Sequence, residues 1–207
     1  MNTLFDASEQ SNLQRVKPLA ARMRPTRLDE FVGQQQFLGE GKLLSRLLQA
    51  DRLGSVLFYG PPGSGKTTLA QLLANETQSR YQELSAVSSG VKELRAVLDD
   101  ARNELCSGGK RTLLFIDEIH RFNKAQQDAL LPDVENGIVT LVGATTANPF
   151  FAVNSALVSR STVFQFEPLE VADIECLLQR AISDSYRGLG RYDVTLTPEA
   201  SKYIATI

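Results

Sequence analysis

The sequence predicts an α/β sandwich, a parallel sheet with helices on both faces, followed by the start of a smaller helical domain. Three observations predict it. Short apolar runs alternate with longer helical patterns from residue 55 onward, a glycine-rich turn follows the first run and opens a helix, and a continuously apolar run near the middle ends in two adjacent acids. Strands that alternate with helices imply βαβ units, and unbroken apolar runs imply strands buried on both faces. The chain has 207 residues, 43% of them hydrophobic, with a formal net charge of -2. That length is enough for a sizeable core, and that composition excludes wholesale disorder and collagen-like repeats. No apolar run approaches the ~18 residues of a membrane helix, and the opening residues lack the basic and apolar stretches of a secretory signal. Two cysteines, Cys106 and Cys176, and one histidine, His120, exclude a disulfide framework and a zinc or His-based metal centre and point to the reducing cytosol. A pI near 5.5 excludes a wholly basic nucleic-acid coat but permits a local basic patch.

Taken in order, residues 1–16 are expected to form a flexible N-terminal tail. Leu4-Phe5 within it is a faint match to sliding-clamp-binding peptides, with a plain tail as the alternative. Arg15, Lys17, Arg22, Arg24 and Arg27 then form a basic segment without an intervening acid. It is either a solvated surface or a contact for something anionic, such as nucleotide, DNA or a neighbouring subunit. Ser55–Tyr59 reads as a buried strand and Lys66–Thr77 as a helix with Leu69, Leu72 and Leu73 on one face. Glu83–Ala86 is a weak second strand, and Val91, Leu94, Val97, Leu98, Ala101 and Leu105 recur at helical spacing. Thr112–Ile116 is the continuously apolar strand. Residues 124–136 form a helix that stops at Asn136-Gly137, and Ile138–Val142 and Val163–Phe166 complete the strands. Beyond Glu167-Pro168 the pattern becomes helical. Ile174, Leu177, Leu178, Ala181 and Ile182 stripe residues 170–186, and Thr197-Pro198 starts a last helix as N-cap and first residue. The stripe Ala200, Tyr203, Ile204 and Ile207 has nothing after it to pack against, so the helical domain reads as truncated. The organisation is therefore a tail (1–16), an α/β domain (17–168) and the beginning of a helical domain (169–207).

The chemistry lies at the strand ends. Gly60-Pro61-Pro62-Gly63-Ser64-Gly65-Lys66-Thr67 fits G-x-x-x-x-G-K-[ST] and sits between a strand and a helix, the context that gives the motif its meaning. Glycines let the backbone of Pro62-Gly63-Ser64-Gly65-Lys66-Thr67-Thr68 wrap so that its N–H groups, which proline lacks, converge on phosphate oxygens, and the helix N-terminus adds its dipole. Lys66 can reach the β- and γ-phosphates and the Thr67 hydroxyl can bind Mg²⁺. The expected fold class is therefore a P-loop αβα sandwich that holds a phosphate-bearing ligand with Mg²⁺. Asp117 and Glu118 end the central strand, Asp117 to hold the metal opposite Thr67, Glu118 to act as general base toward water.

A hydroxyl at the end of Val142-Gly143-Ala144-Thr145-Thr146 could bond the attacking water or the γ-phosphate; Thr146 is favoured over Thr145, with a strand-end cap as the alternative. Arg160 closes a short helix, Asn154–Arg160, and is either a surface arginine or a finger that neutralises the transition state of a neighbouring site. His120, Arg121 and Phe122 follow the acids closely enough to report nucleotide state, or they cap the next helix. Two other matches fail. Asn123-Lys124-Ala125-Gln126 lacks the acid of the guanine-reading N-K-x-D, and Leu105–Lys110 departs from the transporter signature loop.

These pieces in this order resemble the AAA+ ATPases of the clamp-loader-like clade. Within it the chain resembles the family of replication-associated recombination protein A. The carrying stretches are Pro18–Pro25, Ser85–Glu93, Asp117–Lys124 with Gln126-Gln127-Asp128, and Gly143–Pro149. The resemblance implies a helical lid, with Arg22, Arg24, Pro25, Phe31, Val32 and Gly33 flanking adenine, and assigns Lys66, Glu118, Thr146 and Arg160 to catalysis. It also implies a homo-oligomer, often a tetramer, whose ATPase responds to DNA ends and single-strand gaps. Such proteins act at stalled forks beside single-strand-binding protein, in the cytoplasm at the nucleoid. The lid arginine and the oligomerisation region of the family have no match before Ile207. A clamp-loader subunit, a branch-migration motor and an ATP-dependent scaffold are the alternatives.

Overall fold

The computed structural model describes residues 17–206. The expected tail, Leu4-Phe5 and Ile207 lie outside them. The described chain falls into two compact units, one of Arg27–Pro168 and one joining the described part of Met1–Thr26 to Leu169–Ile207.

The larger unit is built on five parallel strands, β1 (Val56–Tyr59), β2 (Arg80–Ser85), β3 (Thr112–Asp117), β4 (Val139–Thr145) and β5 (Thr162–Gln165), in the order β2-β3-β4-β1-β5. Successive side chains point to opposite faces, which explains the unbroken apolar runs. Leu57, Leu114, Ile116 and Leu141 enter one core cluster and Phe58, Leu113, Phe115 and Val142 the other. The first cluster is closed by the helices Val91–Cys106 and Lys124–Glu135, through Leu94, Leu98 and Leu130. The second is closed by the helix Lys66–Glu76 through Leu69 and Leu73, and by Phe37 and Leu44 from the short helices Gln35–Leu38 and Leu43–Gln49. Phe37 meets Phe164 and Phe166 at ring-centroid distances of 5.2 and 5.0 Å, an aromatic cluster beneath β1 and β5.

Differences from the sequence reading are local. β2 begins at Arg80 rather than Glu83. It is an edge strand paired only with β3, so its polar start is tolerated, and Tyr81 stacks on Phe115 at 6.2 Å. The helix Lys124–Glu135 is capped by Asn123, whose Oδ1 accepts from Gln126 N at 3.0 Å. It ends where Gly137 takes φ +66° and Ile138 N donates to Asp133 O at 2.9 Å.

In the smaller unit the helices Val171–Ser183 and Pro198–Thr206 pack on each other. Asp184 joins them to the loop between: its carboxylate accepts from the backbone N–H groups of Tyr186 and Arg187 at 2.8 and 2.7 Å. The hydrogen bonds from the Arg187 and Tyr186 backbone, ahead of the Arg187 side chain, lower its pKa to about 2. Thr197 caps the last helix, accepting from Ala200 N at 3.3 Å. Among the described residues no helix is long and apolar enough to cross a membrane.

The junction of β1 with the glycine-rich turn is tight. Gly60 N donates to Thr145 O at 3.1 Å, and a Cβ on Gly60 would lie 2.4 Å from Phe166 O. Gly60→Ala is expected to push β1 from the end of β5 and to cost about 1–3 kcal/mol, typical of overpacking. A thermal unfolding midpoint equal to the parent's would show that the turn relaxes freely.

Candidate active site

In a parallel sheet all strands end on one edge. The C-terminal ends of β1, β3 and β4 therefore bring together the glycine-rich turn, the acid pair and the two threonines. In the turn, Gly63 and Gly65 have φ +77° and +98°, conformations that open the loop and direct its N–H groups inward. Ser64 Oγ donates to Pro61 O at 2.8 Å and stiffens it. The ammonium of Lys66 lies back over the turn and donates to Gly60 O and Pro61 O at 2.8 and 2.7 Å. Lys66 is only 8% exposed. Burial lowers its pKa from the ordinary lysine value, while the charges of Glu118 and Asp117 oppose the shift. The cation is thus desolvated beside two anions, a state in which phosphate oxygens are strong partners.

Asp117 ends β3, with its Oδ1 accepting from Glu118 N at 3.1 Å. Glu118 turns left-handed at φ +52°. Its Oε2 accepts from Thr146 N and Oγ1 at 3.4 and 3.2 Å. Thr146 is exposed at the tip of β4, whereas Thr145 is fully buried. Of the two threonines, Thr146 is therefore the one whose hydroxyl meets the catalytic-base candidate.

The protein alone offers no self-contained metal site: among the described residues no cluster of three or more His, Cys, Asp or Glu could hold an ion. The carboxylate of Asp117 and the hydroxyl of Thr67 suit Mg²⁺ that keeps water and shares phosphate oxygens. The donor set therefore fits a metal that arrives with its nucleotide.

The segment before β1 closes over this edge. Gly33 and Gln34 take φ +84° and +59°. The Phe31 ring lies against the turn, 2.9 Å from where a Cβ on Gly65 would be. Gln34 is 5% exposed. It donates to Glu167 O at 2.8 Å and, at 3.4 Å, to Ser64 O, and accepts from Glu167 N at 3.0 Å. This amide is a tie between the turn and the strand exit after β5. Nothing in the local sequence around Gln34 signals this role, since Glu167 lies 133 residues away. Val32 is partly buried beside Gly33 in the same segment. Arg22, Arg24 and Pro25 belong to the other unit, Arg22 closing the helix Leu19–Arg22.

Arg160 is not at this edge. Its helix, Ser155–Ser159, precedes β5, and Thr162 pairs with Val56 at the start of β1. Arg160 therefore lies on the opposite rim, a strand of four residues away from the turn, or about 13 Å along the strand. There its guanidinium bonds Glu135 at 2.6 Å and Ala156 O at 2.9 Å.

A fold of this strand order with a phosphate-binding turn and an acid pair defines a P-loop ATPase domain, and known proteins agree. Residues 23–152 match the family model described as the Holliday junction DNA helicase RuvB P-loop domain. The chain is 48% identical over 191 residues to replication-associated recombination protein A of Escherichia coli, covering 92% of the chain and 42% of that relative. It is 43% identical over 190 residues to the Bacillus subtilis protein of the same name, covering 92% and 44%. ATPase WRNIP1 of Dictyostelium discoideum is 51% identical over 165 residues, covering 80% and 19%. The structure of the Thermotoga maritima RuvB Holliday junction branch migration motor superimposes with a TM-score of 0.70 at 32% identity, covering 89% of this chain and 59% of that one. The chain belongs to the AAA+ ATPases with a RuvB-type P-loop domain, and within that class it is similar to the bacterial proteins named replication-associated recombination protein A. It spans about two fifths of the length of those bacterial relatives.

Gln34→Ala would leave the part-buried N–H and C=O of Glu167 without their side-chain partners. We expect a loss of about 1–3 kcal/mol in denaturant unfolding; an unchanged midpoint would rule out the tie.

Proposed function

We propose that this protein hydrolyses ATP with Mg²⁺ in response to DNA and acts at stalled replication forks in recombination and repair. The observation that carries the reading is the acid pair at the tip of β3, with the Glu118 carboxylate bonded to Thr146 beside the buried Lys66. The names of the relatives supply the setting.

The residues divide the work. The N–H groups of Pro62-Gly63-Ser64-Gly65-Lys66-Thr67-Thr68, apart from proline's missing donor, receive phosphate oxygens, and Lys66 leaves the turn carbonyls to pair the β- and γ-phosphates. Thr67 and Asp117 hold Mg²⁺, which when bound neutralises phosphate charge. Glu118 takes the proton of the attacking water. Thr146 holds that carboxylate and senses the γ-phosphate. Phe31, Val32 and Gly33 flank adenine. We read 17–168 as the nucleotide-binding domain and 169–207 as the start of a lid. Arg160 acts on the site of a neighbouring copy, because its own site lies on the other rim of the sheet. Two copies must then meet rim to rim, which suits a homo-oligomer, with a tetramer as the family expectation. Single-strand-binding protein at the fork is the expected partner, and the cytoplasmic nucleoid the expected place.

The test is the steady-state ATPase rate of the purified protein with single-stranded, double-stranded, gapped and forked DNA. Stimulation by gaps, ends or forks is expected. A rate that responds only to a sliding clamp would favour a loader, one specific to four-way junctions a branch-migration motor, and one indifferent to DNA a scaffold.

Arg160→Ala is expected to leave ATP affinity unchanged and to lower turnover by about 10³–10⁵, the range of an arginine finger. Mixed with inactive Lys66→Ala copies, Arg160→Ala copies should recover part of the rate, since each kind supplies what the other lacks. A mixture as inactive as its parents would refute action between copies.

A further inference from the structure

Glu118 has φ +52° and ψ +46°, a left-handed conformation that costs a non-glycine residue energy and persists where surrounding contacts impose it. The turn folds residues Ile119–Arg121 back as a 3-10 helix, with Arg121 N donating to Glu118 O at 2.8 Å. Ile119 pins this turn. It is fully buried and occupies the space over Gly143, where a Cβ would lie 3.0 Å from its Cδ1. The result returns His120, the chain's one histidine, to the carboxylate. Its Nδ1 is 3.1 Å from Glu118 Oε2 and 2.8 Å from Thr145 Oγ1.

Hydrogen-bond capacity fixes which ring nitrogen carries the proton. A carboxylate only accepts, so a bare Nδ1 would set lone pair against lone pair. Thr145 Oγ1 accepts from Ala147 N at 3.0 Å and donates to Ala147 O at 3.2 Å, so its hydrogen is used and it has a lone pair to offer. One arrangement suits every group: Nδ1–H donates to Thr145 Oγ1 and turns its positive end toward Glu118 Oε2, 3.1 Å away. Among the described residues, Thr146 N and Thr146 Oγ1 both donate to Oε2, and the His120 Nδ1 lies against that same oxygen rather than Oε1.

We propose that His120 is a positioning residue for ATP hydrolysis. Its Nδ1–H, braced by buried Thr145, holds Oε2 of Glu118, so that Oε1 is the oxygen that takes the proton of the attacking water. The proposal rests on the reading of Glu118 as base, and the two are tested separately.

The experiment compares His120→Asn with His120→Gln. The Asn amide nitrogen occupies nearly the place of Nδ1; the Gln amide carries the same group one carbon farther out. For His120→Gln and His120→Ala we expect kcat to fall by about 10- to 100-fold, the scale of a misplaced catalytic group. Binding of a non-hydrolysable ATP analogue should stay within twofold, and His120→Asn should recover most of kcat. Equal turnover in the Asn and Gln variants, or a loss carried by nucleotide affinity, overturns the proposal. In a Glu118→Gln background, His120→Ala should lower the residual rate no further; a multiplied loss also overturns it. Full turnover by Glu118→Gln alone would instead remove Glu118 as base, a separate result.

Discussion

The parallel pairing of β3 with β4 is the constraint on which the rest depends. With Ile116 opposite Gly143, Asp117 and Glu118 leave β3 level with the last residues of β4. β1 is paired to the other side of β4, Tyr59 opposite Thr145, so the glycine-rich turn starts at the same height. A shift of one residue in either ladder would reverse every side chain on the moved strand. It would drive Leu114 and Ile116 out of one core cluster and Leu113 and Phe115 out of the other. The core therefore fixes the register, and the register fixes the site.

The sheet also separates strain from support. Left-handed backbone at Gln34 and Glu118 lies at the edge where the phosphate turn opens, while the strands beneath are regular and buried. Each of the two residues is held by side-chain contacts, Gln34 by hydrogen bonds to the Glu167 backbone and Glu118 by a hydrogen bond from Thr146 and the nearby His120 ring. Local cost is offset by contacts that are already rigid, so the functional groups need little reorganisation on meeting a ligand.

Much of this was legible in the sequence because buried parallel strands carry pure apolar runs and phosphate turns need glycine at fixed spacing. Leu113–Ile116 and Gly60–Thr67 announce themselves. The polar start of β2 does not, since Arg80–Gln82 lies on an edge and draws its packing from a single stack of Tyr81 on Phe115. Nor do the helices Gln35–Leu38 and Leu43–Gln49, of 4 and 7 residues, which are too short for a period to show. Gln34 and His120 were visible as letters, but their partners lie far along the chain: Glu167 is 133 residues from Gln34, and Thr145 is 25 from His120. Only the fold reveals such pairs.

The opposite placement of Arg160 and the phosphate turn gives the domain a front and a back. An assembly that joins front to back cannot be a two-fold dimer, because the touching patches differ. It must close as a ring or advance as a spiral. In either form each contact would join unlike rims, because parallel strands carry the turn and Arg160 to opposite ends of one sheet.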